Sequence, residues 1–314
     1  VRPHTLRLTG SELFFRVAEE LIDVAKKGDP GGFVERVVEF YREISSTRPA
    51  SMASLNLLRA VASRLLERGF EGLVEFIEGL VKEYDSALQR AAEIAARRVV
   101  SGEKIMTTSN SLAVRRFLKS LVELGKKVEL YVAESRPGRE GLYLAEYAES
   151  LGIPTTLFVD SAARFFIKDV DKVFIGAEAI AANGAVVSKI GAGLVSLVSK
   201  EARKRVFVIA PTMKFSYETI HGELLKLPEG GSELLVDVES GESLPEGFVA
   251  KVPLYEVIPP EYVDGIATEY GLIAPQAIPI LLRNIYGTYP ISVKPFDALI
   301  SELYERYGGV HDDT

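Results

Sequence analysis

Two periods of apolar spacing divide the chain. In Ser11-Glu12-Leu13-Phe14-Phe15-Arg16-Val17-Ala18-Glu19-Glu20-Leu21-Ile22 the hydrophobic residues recur at helical spacing, with Ser11 as the expected N-cap. Gly28-Asp29-Pro30-Gly31-Gly32 breaks that helix. Phe33 to Ile44, Ser54 to Glu67 and Glu71 to Val100 continue the same period. Val-rich alternation is missing here, so residues 1–100 are expected to form an all-helical domain.

From Lys104 the period changes. Strands are expected from Lys104 to Thr108, Val128 to Ala133, Thr155 to Asp160, Val173 to Gly176 and Val206 to Ala210. Helices are expected between them, from Ser111 to Leu124, Gly141 to Leu151, Ala162 to Lys168 and Gly191 to Lys204. This alternation predicts an α/β fold class, with residues 101–314 as a Rossmann-like domain: a parallel sheet covered by helices on both faces. Such sheets bind ligands beyond the carboxyl ends of their strands. Ser109, Arg136, Asp160, Glu178 and the Pro211 to Lys214 turn all fall at those ends. The stretch 226–258, rich in Gly, Pro and Glu, reads as a loop excursion with a strand or two. Gly265 to Gly271 reads as a last strand and Pro275 to Tyr286 as a helix. Glu302 to Thr314 is charged and expected to fray, with Leu303 and Tyr304 available to dock on a partner.

Composition narrows the function. The 314 residues, 47% hydrophobic, can bury a sizeable core as one large or two ordinary domains. No uncharged apolar run approaches the roughly 18 residues of a membrane span. Val1-Arg2-Pro3-His4 lacks a signal-peptide layout, so a cytoplasmic location is expected. With no Cys, disulfides, thiolate zinc sites and a Cys nucleophile are excluded. Few Met and abundant Glu, Arg and Lys suit a thermophile. The net charge of −7 argues against direct nucleic-acid binding but leaves room for a local basic pocket. No dinucleotide fingerprint, Walker motif, metal-ligand cluster or Ser-His-Asp arrangement is visible, so no cofactor or metal is expected.

The candidate chemistry is a set of charged residues at strand ends. Arg136, with Pro137 and Gly141, occupies a strand-to-helix turn, where a guanidinium and free backbone donors would clamp phosphate; a solvated loop arginine is the plainer reading. Asp160 is a ligand-site residue or simply a helix N-cap. Glu178 is a sugar-hydroxyl acceptor or an ion-pair partner for Lys189. Lys189 and Lys214 would give a pocket positive potential, and Asn183-Gly184 is a turn. Thr47-Arg48-Pro49, Asn56 and Arg59 lie in the helical region, from which Arg48 would reach a phosphate across the cleft or merely end a helix.

Several motifs occur in one order. They are Glu134-Ser135-Arg136-Pro137-Gly138-Arg139-Glu140-Gly141, Val159-Asp160-Ser161-Ala162-Ala163, Gly176-Ala177-Glu178 running through Asn183-Gly184 to Ser188-Lys189-Ile190-Gly191, and Lys214-Phe215 after a strand. Together they resemble the superfamily of the initiation factor 2B alpha, beta and delta subunits, which also holds methylthioribose-1-phosphate isomerase and the archaeal ribose-1,5-bisphosphate isomerase. The resemblance runs from Thr47-Arg48-Pro49 to Pro275. It implies a sugar-phosphate cleft, with Arg48, Arg136, Asp160, Ser188, Lys189 and Lys214 as ligand-binding positions. The family's isomerases carry a Cys where Ser109 stands and an Asp where Glu178 stands; Ser188 replaces a usual Asn, and Thr9-Gly10-Ser11 an Arg-Gly-rich turn.

A thiol titrates near 8.5, whereas a serine hydroxyl needs a neighbouring base, and Glu adds a methylene to Asp. These departures lead to the expectation of a regulatory, initiation factor 2B-like subunit of archaeal type without ribose-1,5-bisphosphate isomerase activity. It would bind a phosphorylated sugar or nucleotide, pair as a homodimer through the C-terminal domain, with higher assembly left open, and meet translation initiation factor 2 or a nucleotidyltransferase-like subunit. The alternatives are a sugar-phosphate aldose–ketose isomerase using Ser109 and Glu178, and a structural subunit with a vestigial cleft.

Overall fold

The chain opens with helices α1 (Gly10–Ala25), α2 (Pro30–Thr47), α3 (Met52–Arg68) and α4 (Leu73–Ala96). This computed structural model describes residues 9–216, 219, 227–236, 244–245, 247–287 and 294–308. The N-cap of α1 is Thr9 and not Ser11. Thr9 Oγ1 accepts from the Glu12 N–H at 3.1 Å, and the Glu12 carboxylate accepts from the Thr9 N–H at 2.8 Å. Ser11 lies inside the first turn, where its hydroxyl meets the buried Tyr84 hydroxyl at 2.9 Å. A buried phenol needs such a partner.

The sheet strands are β1 (Lys104–Thr108), β2 (Glu129–Ala133), β3 (Thr155–Phe158), β4 (Lys172–Gly176), β7 (Arg205–Ile209), β9 (Gly265–Thr268) and β10 (Gly271–Ile273). Their order is β10-β9-β7-β4-β1-β2-β3, parallel throughout except for β10 against β9. The chain order reverses direction across β1, which lies between β2 and β4. Turns far apart in sequence therefore become neighbours along one edge.

The segment expected as one last strand is instead the β9–β10 hairpin. Thr268 closes it, its hydroxyl donating to the Gly271 carbonyl at 3.1 Å. A second sheet, unforeseen over residues 179–189, joins β5 (Ala179–Ile180), β6 (Val186–Lys189) and β8 (Tyr255–Ile258), all antiparallel. Its strands are too short for alternation to announce them.

Helices α5 (Leu112–Glu123), α6 (Glu140–Ser150), α7 (Ala163–Phe166), α8 (Ala192–Glu201) and α9 (Ile278–Tyr286) complete the α/β part. Alternation along β4 serves both faces of the sheet. Phe174 points to the helical side, stacked on Phe117 at 4.4 Å and Phe207 at 5.2 Å between centroids. Val173 and Ile175 point to the opposite core with Val208 and Ile266. One apolar core thus runs unbroken from the helices onto the sheet.

The final helix, α10 (Phe296–Tyr307), is ordered and packs back on α2 and α3. Phe296 stacks on Tyr41 with centroids 3.9 Å apart, and Leu303 is fully buried. The expectation of a frayed end from residue 302, with Leu303 free for a partner, is corrected to that extent. Residues 309–314 and His4, His221 and His311 lie outside the described residues.

Candidate active site

The parallel strands deliver their turns to one edge in the order Asp160, Arg136, Ser109, Glu178, Lys214, following β3, β2, β1, β4 and β7. Three of the backbone's left-handed non-glycine residues sit there: Ser109 (φ 63°), Ser135 (φ 66°) and Arg139 (φ 55°). Such strain costs about 1–3 kcal/mol per residue and gathers at functional sites. Ser135 holds the turns together. Its hydroxyl oxygen accepts from the Ser109 N–H at 2.6 Å, lies 3.0 Å from Thr108 Oγ1, and donates to the Ala133 carbonyl at 2.9 Å. Gly141 is required because a Cβ there would lie 1.9 Å from the Ala133 carbonyl oxygen.

A narrow inner cleft opens over these turns. It brings together Ser109, Glu178, Ser188, Lys189 and Lys214, with Thr9 and Gly10 from the start of α1. Glu178 pairs with Arg48 at 3.5 Å, both side chains about one-tenth exposed, and does not pair with Lys189 as one sequence reading had it. Burial, the largest influence, works against the Arg48 charge, but Glu178, the Tyr255 oxygen and Glu140 together offset it and hold the guanidinium above its ordinary pKa. The ion pair ties the end of α2 to the strand turn. Glu178 also lies against Gly10, where any Cβ would approach its Oε2 to 2.1 Å. Ser188 donates to the Gly176 carbonyl at 3.0 Å.

Lys214 is buried on a short turn that both regions clamp. Asn56 of α3 donates to the Met213 and Phe215 carbonyls, each at 2.9 Å, and Glu269 accepts from the Thr212 N–H. Lys214 Nζ donates to the Ala177 carbonyl at 2.6 Å. Burial lowers its pKa, with Arg48 adding to the effect and Glu178 opposing it. Lys189 behaves differently. Burial again works against its charge, but the Tyr255 oxygen and the Glu140 carboxylate, 3.1 Å away, raise its pKa overall. Its ammonium also lies 4.9 Å from the Tyr255 ring centroid.

An outer cleft of about 220 Å³ adjoins the first and shares Lys189 with it. Arg136 lines it, donating from Nη2 to the Leu234 and Leu235 carbonyls at 3.1 and 3.2 Å. Asp160 lines neither cleft. Its two carboxylate oxygens accept from the Ser135 and Arg136 N–H groups at 2.8 and 2.7 Å, so those backbone donors are not free for a phosphate. Glu140 and Tyr255 went unremarked in the sequence reading. Glu140 stood inside the quoted Arg136 motif and could have been found as the acid before Gly141. Tyr255 lay in the stretch read as a loop excursion with a strand or two, and no periodicity marked it. A larger groove of about 1060 Å³ opens at the amino edge, near Val122, Leu151 and Pro154. Its Lys126 ammonium already donates to the Ala96 and Val99 carbonyls, so this groove offers little chemistry despite its volume.

A helical layer over a mostly parallel α/β sheet, with a charged cleft beyond the carboxyl strand ends, defines the class. Residues 10–275 match the Initiation factor 2 subunit family, IF-2B, and the chain belongs to that family. It is 36% identical over 251 residues to the ribose 1,5-bisphosphate isomerase of Pyrococcus furiosus, covering 77% of this chain and 78% of that protein. It is 30% identical over 266 residues to a putative translation initiation factor eIF-2B subunit 2-like protein of the same organism, covering 85% and 88%. The crystal structure of the Pyrococcus horikoshii translation initiation factor eIF-2B superposes with a TM-score of 0.72 at 25% identity, covering 87% of this chain and 95% of that one. The isomerase-like resemblance is therefore better supported than the regulatory reading favoured by the substitutions at Ser109 and Glu178.

Proposed function

We propose that the chain is a sugar-phosphate aldose–ketose isomerase acting on a ribose 1,5-bisphosphate type of substrate. The observation that carries this reading is the inner cleft. It places a buried carboxylate, Glu178, a buried amine, Lys214, and a partly buried one, Lys189, around the Ser109 turn. Aldose–ketose exchange moves a proton between adjacent carbons and another between their oxygens, so it needs acid–base groups shielded from water. The outer cleft suits the distal phosphate, with Arg136 and Lys189 as its cations and the reacting carbons turned toward Glu178. Glu178 would accept the proton of a sugar hydroxyl. Incubation with ribose 1,5-bisphosphate should yield ribulose 1,5-bisphosphate on the order of 1 s⁻¹. No product above buffer would overturn the proposal.

A second reading rests on the residues at positions 109 and 178, which carry no thiol and a longer acid. In it the cleft binds a phosphorylated sugar or nucleotide without turning it over and signals to translation factor 2 or a nucleotidyltransferase-like partner. A rise in melting temperature with ribose phosphates, without product, would select it.

In either case the functional unit is proposed to be a dimer formed through the α/β part. The edge strand β3, the α7 helix after it and the neighbouring α8 expose Leu157, Val159, Phe165, Leu194 and Leu197, with Phe165 62% exposed. Neighbouring apolar side chains of this size usually mark an interface. Light scattering should give twice the chain mass, and Phe165→Glu should halve it.

A further inference from the structure

The isomerase reading leaves one proton unassigned. Moving hydrogen from the second sugar carbon to the first takes a base that can hold a proton and return it. Ser109 is a poor choice, because a hydroxyl needs a base beside it and the described residues contain no His or Cys. Three titratable side chains line the inner cleft: Glu178, Lys189 and Lys214. Glu178 is paired with Arg48 and Lys189 with Glu140. Lys214 alone has no carboxylate within ion-pair distance among the described residues, and a single carbonyl, that of Ala177, receives its hydrogen bond. It is 3% exposed, and its backbone is clamped by Asn56 from α3 and, through Thr212, by Glu269.

We propose that Lys214, rather than Ser109, carries the proton between the two reacting carbons. The proposal rests on the isomerase reading and names the base within it. The neutral amine takes the C2 proton. The electrons of that C–H bond form the C1–C2 double bond as the ring C1–O bond breaks, and the ring oxygen takes a proton from solvent. The ammonium then returns its proton to C1, while the C2 hydroxyl passes its own to Glu178 and on to solvent, leaving the ketone. No atom or electron is gained or lost. The groups facing Lys214 are compatible with a neutral amine. Burial is the main influence lowering its proton affinity; Glu178 opposes it and Arg48 adds to it, and Lys189 stands in the same lining. The clamping elements also carry Arg59 on α3, which donates to the Lys294 carbonyl, and Glu269, which accepts from Thr212.

The test is steady-state kinetics of the full chain on ribose 1,5-bisphosphate across pH. Lys214→Arg keeps hydrogen-bond donors but holds its proton at every accessible pH, so it cannot offer a neutral amine. It should lower kcat by at least about 100-fold with KM changed little, the scale of a lost general base. Lys214→Ala should be similarly slow and regain rate on addition of small primary amines, more strongly with more basic amines. In D₂O the wild-type product should carry deuterium at C1 in part of its molecules, because the amine's own N–H bonds exchange with solvent and the ammonium returns any one of its three hydrogens. Wild-type kcat should rise with pH through one group titrating below the ordinary lysine range, and this limb should vanish in Lys214→Arg. If Lys214→Arg fails to fold, Lys214→Met, which removes the buried charge, should show the same loss of rate and of the limb. Turnover by wild type with an unchanged kcat in Lys214→Arg, or a loss confined to KM, overturns this proposal and leaves the isomerase reading standing. No wild-type turnover at all overturns both.

Discussion

The two clefts that meet at Lys189 are built on different principles. In the inner one, each charge is set by side chains drawn from both regions of the molecule: Arg48 at the end of α2 faces Glu178 after β4, and Asn56 of α3 grips the Lys214 turn. In the outer one, Arg136 rests on backbone carbonyls of a short turn, and its own backbone is held by Asp160 from the neighbouring strand end. The inner cleft is therefore part of what holds the helices to the sheet. The outer one is an attachment on a finished scaffold. Damage to the inner cleft should appear as lost stability, and damage to the outer cleft as lost affinity.

The sharpest way to break that contrast is Arg48→Ala. It leaves the buried Glu178 carboxylate without its partner, and removing one member of a buried pair costs about 3–5 kcal/mol. Urea titration should show it, and Arg48→Ala with Glu178→Gln together should recover part of the loss. Equal midpoints for Arg48→Ala and wild type would refute the inner cleft's structural role.

Arg136→Ala should leave the urea midpoint within about 0.5 kcal/mol of wild type. It should weaken ribose-phosphate binding by the equivalent of roughly 1.5–3 kcal/mol, the scale of a charged hydrogen bond. Calorimetry reads the affinity, and a large fall in stability with intact affinity would invert the comparison.

Lys214→Met gives a smaller effect of opposite sign. Lys214 binds its proton less readily folded than unfolded, so the unfolded chain carries the extra proton in the window from its depressed folded value up to the ordinary lysine value near 10.4. Stability from this group therefore rises with pH through that window and is lowest below it. Replacing the amine with an apolar side chain should stabilise the fold at neutral pH by about 1 kcal/mol. Melting curves from pH 6 to 10 should show the variant's advantage shrinking as pH rises.

Much of the scaffold was legible in the sequence. The change of period near Lys104, the strand–helix alternation and the turns bearing Ser109, Arg136 and Glu178 emerged where expected, because β1, β2 and β4 are mostly buried and each turn needs its own residues. What could not be read was pairing across the sheet. Neighbouring strands β1 and β4 are separated by more than sixty residues, so nothing local says that Ser109 and Glu178 share an edge. Of the two readings of Glu178, the ion pair with Lys189 gives way to one with Arg48, which approaches from the helical region, while Lys189 is merely closer in sequence. Asp160 proved to be a brace for the Arg136 turn, a role that depends on the spacing of β2 and β3.

The return of α10 onto α2 and α3 has a consequence for biosynthesis. As the chain leaves the ribosome, the first helices emerge early, yet the surface around Tyr41 is covered only when Phe296, Leu299 and Leu303 follow, after the whole sheet has been made. Nascent chains fold in the order they appear. The helical layer must therefore wait, with an apolar flank open, through the synthesis of the part that carries the cleft.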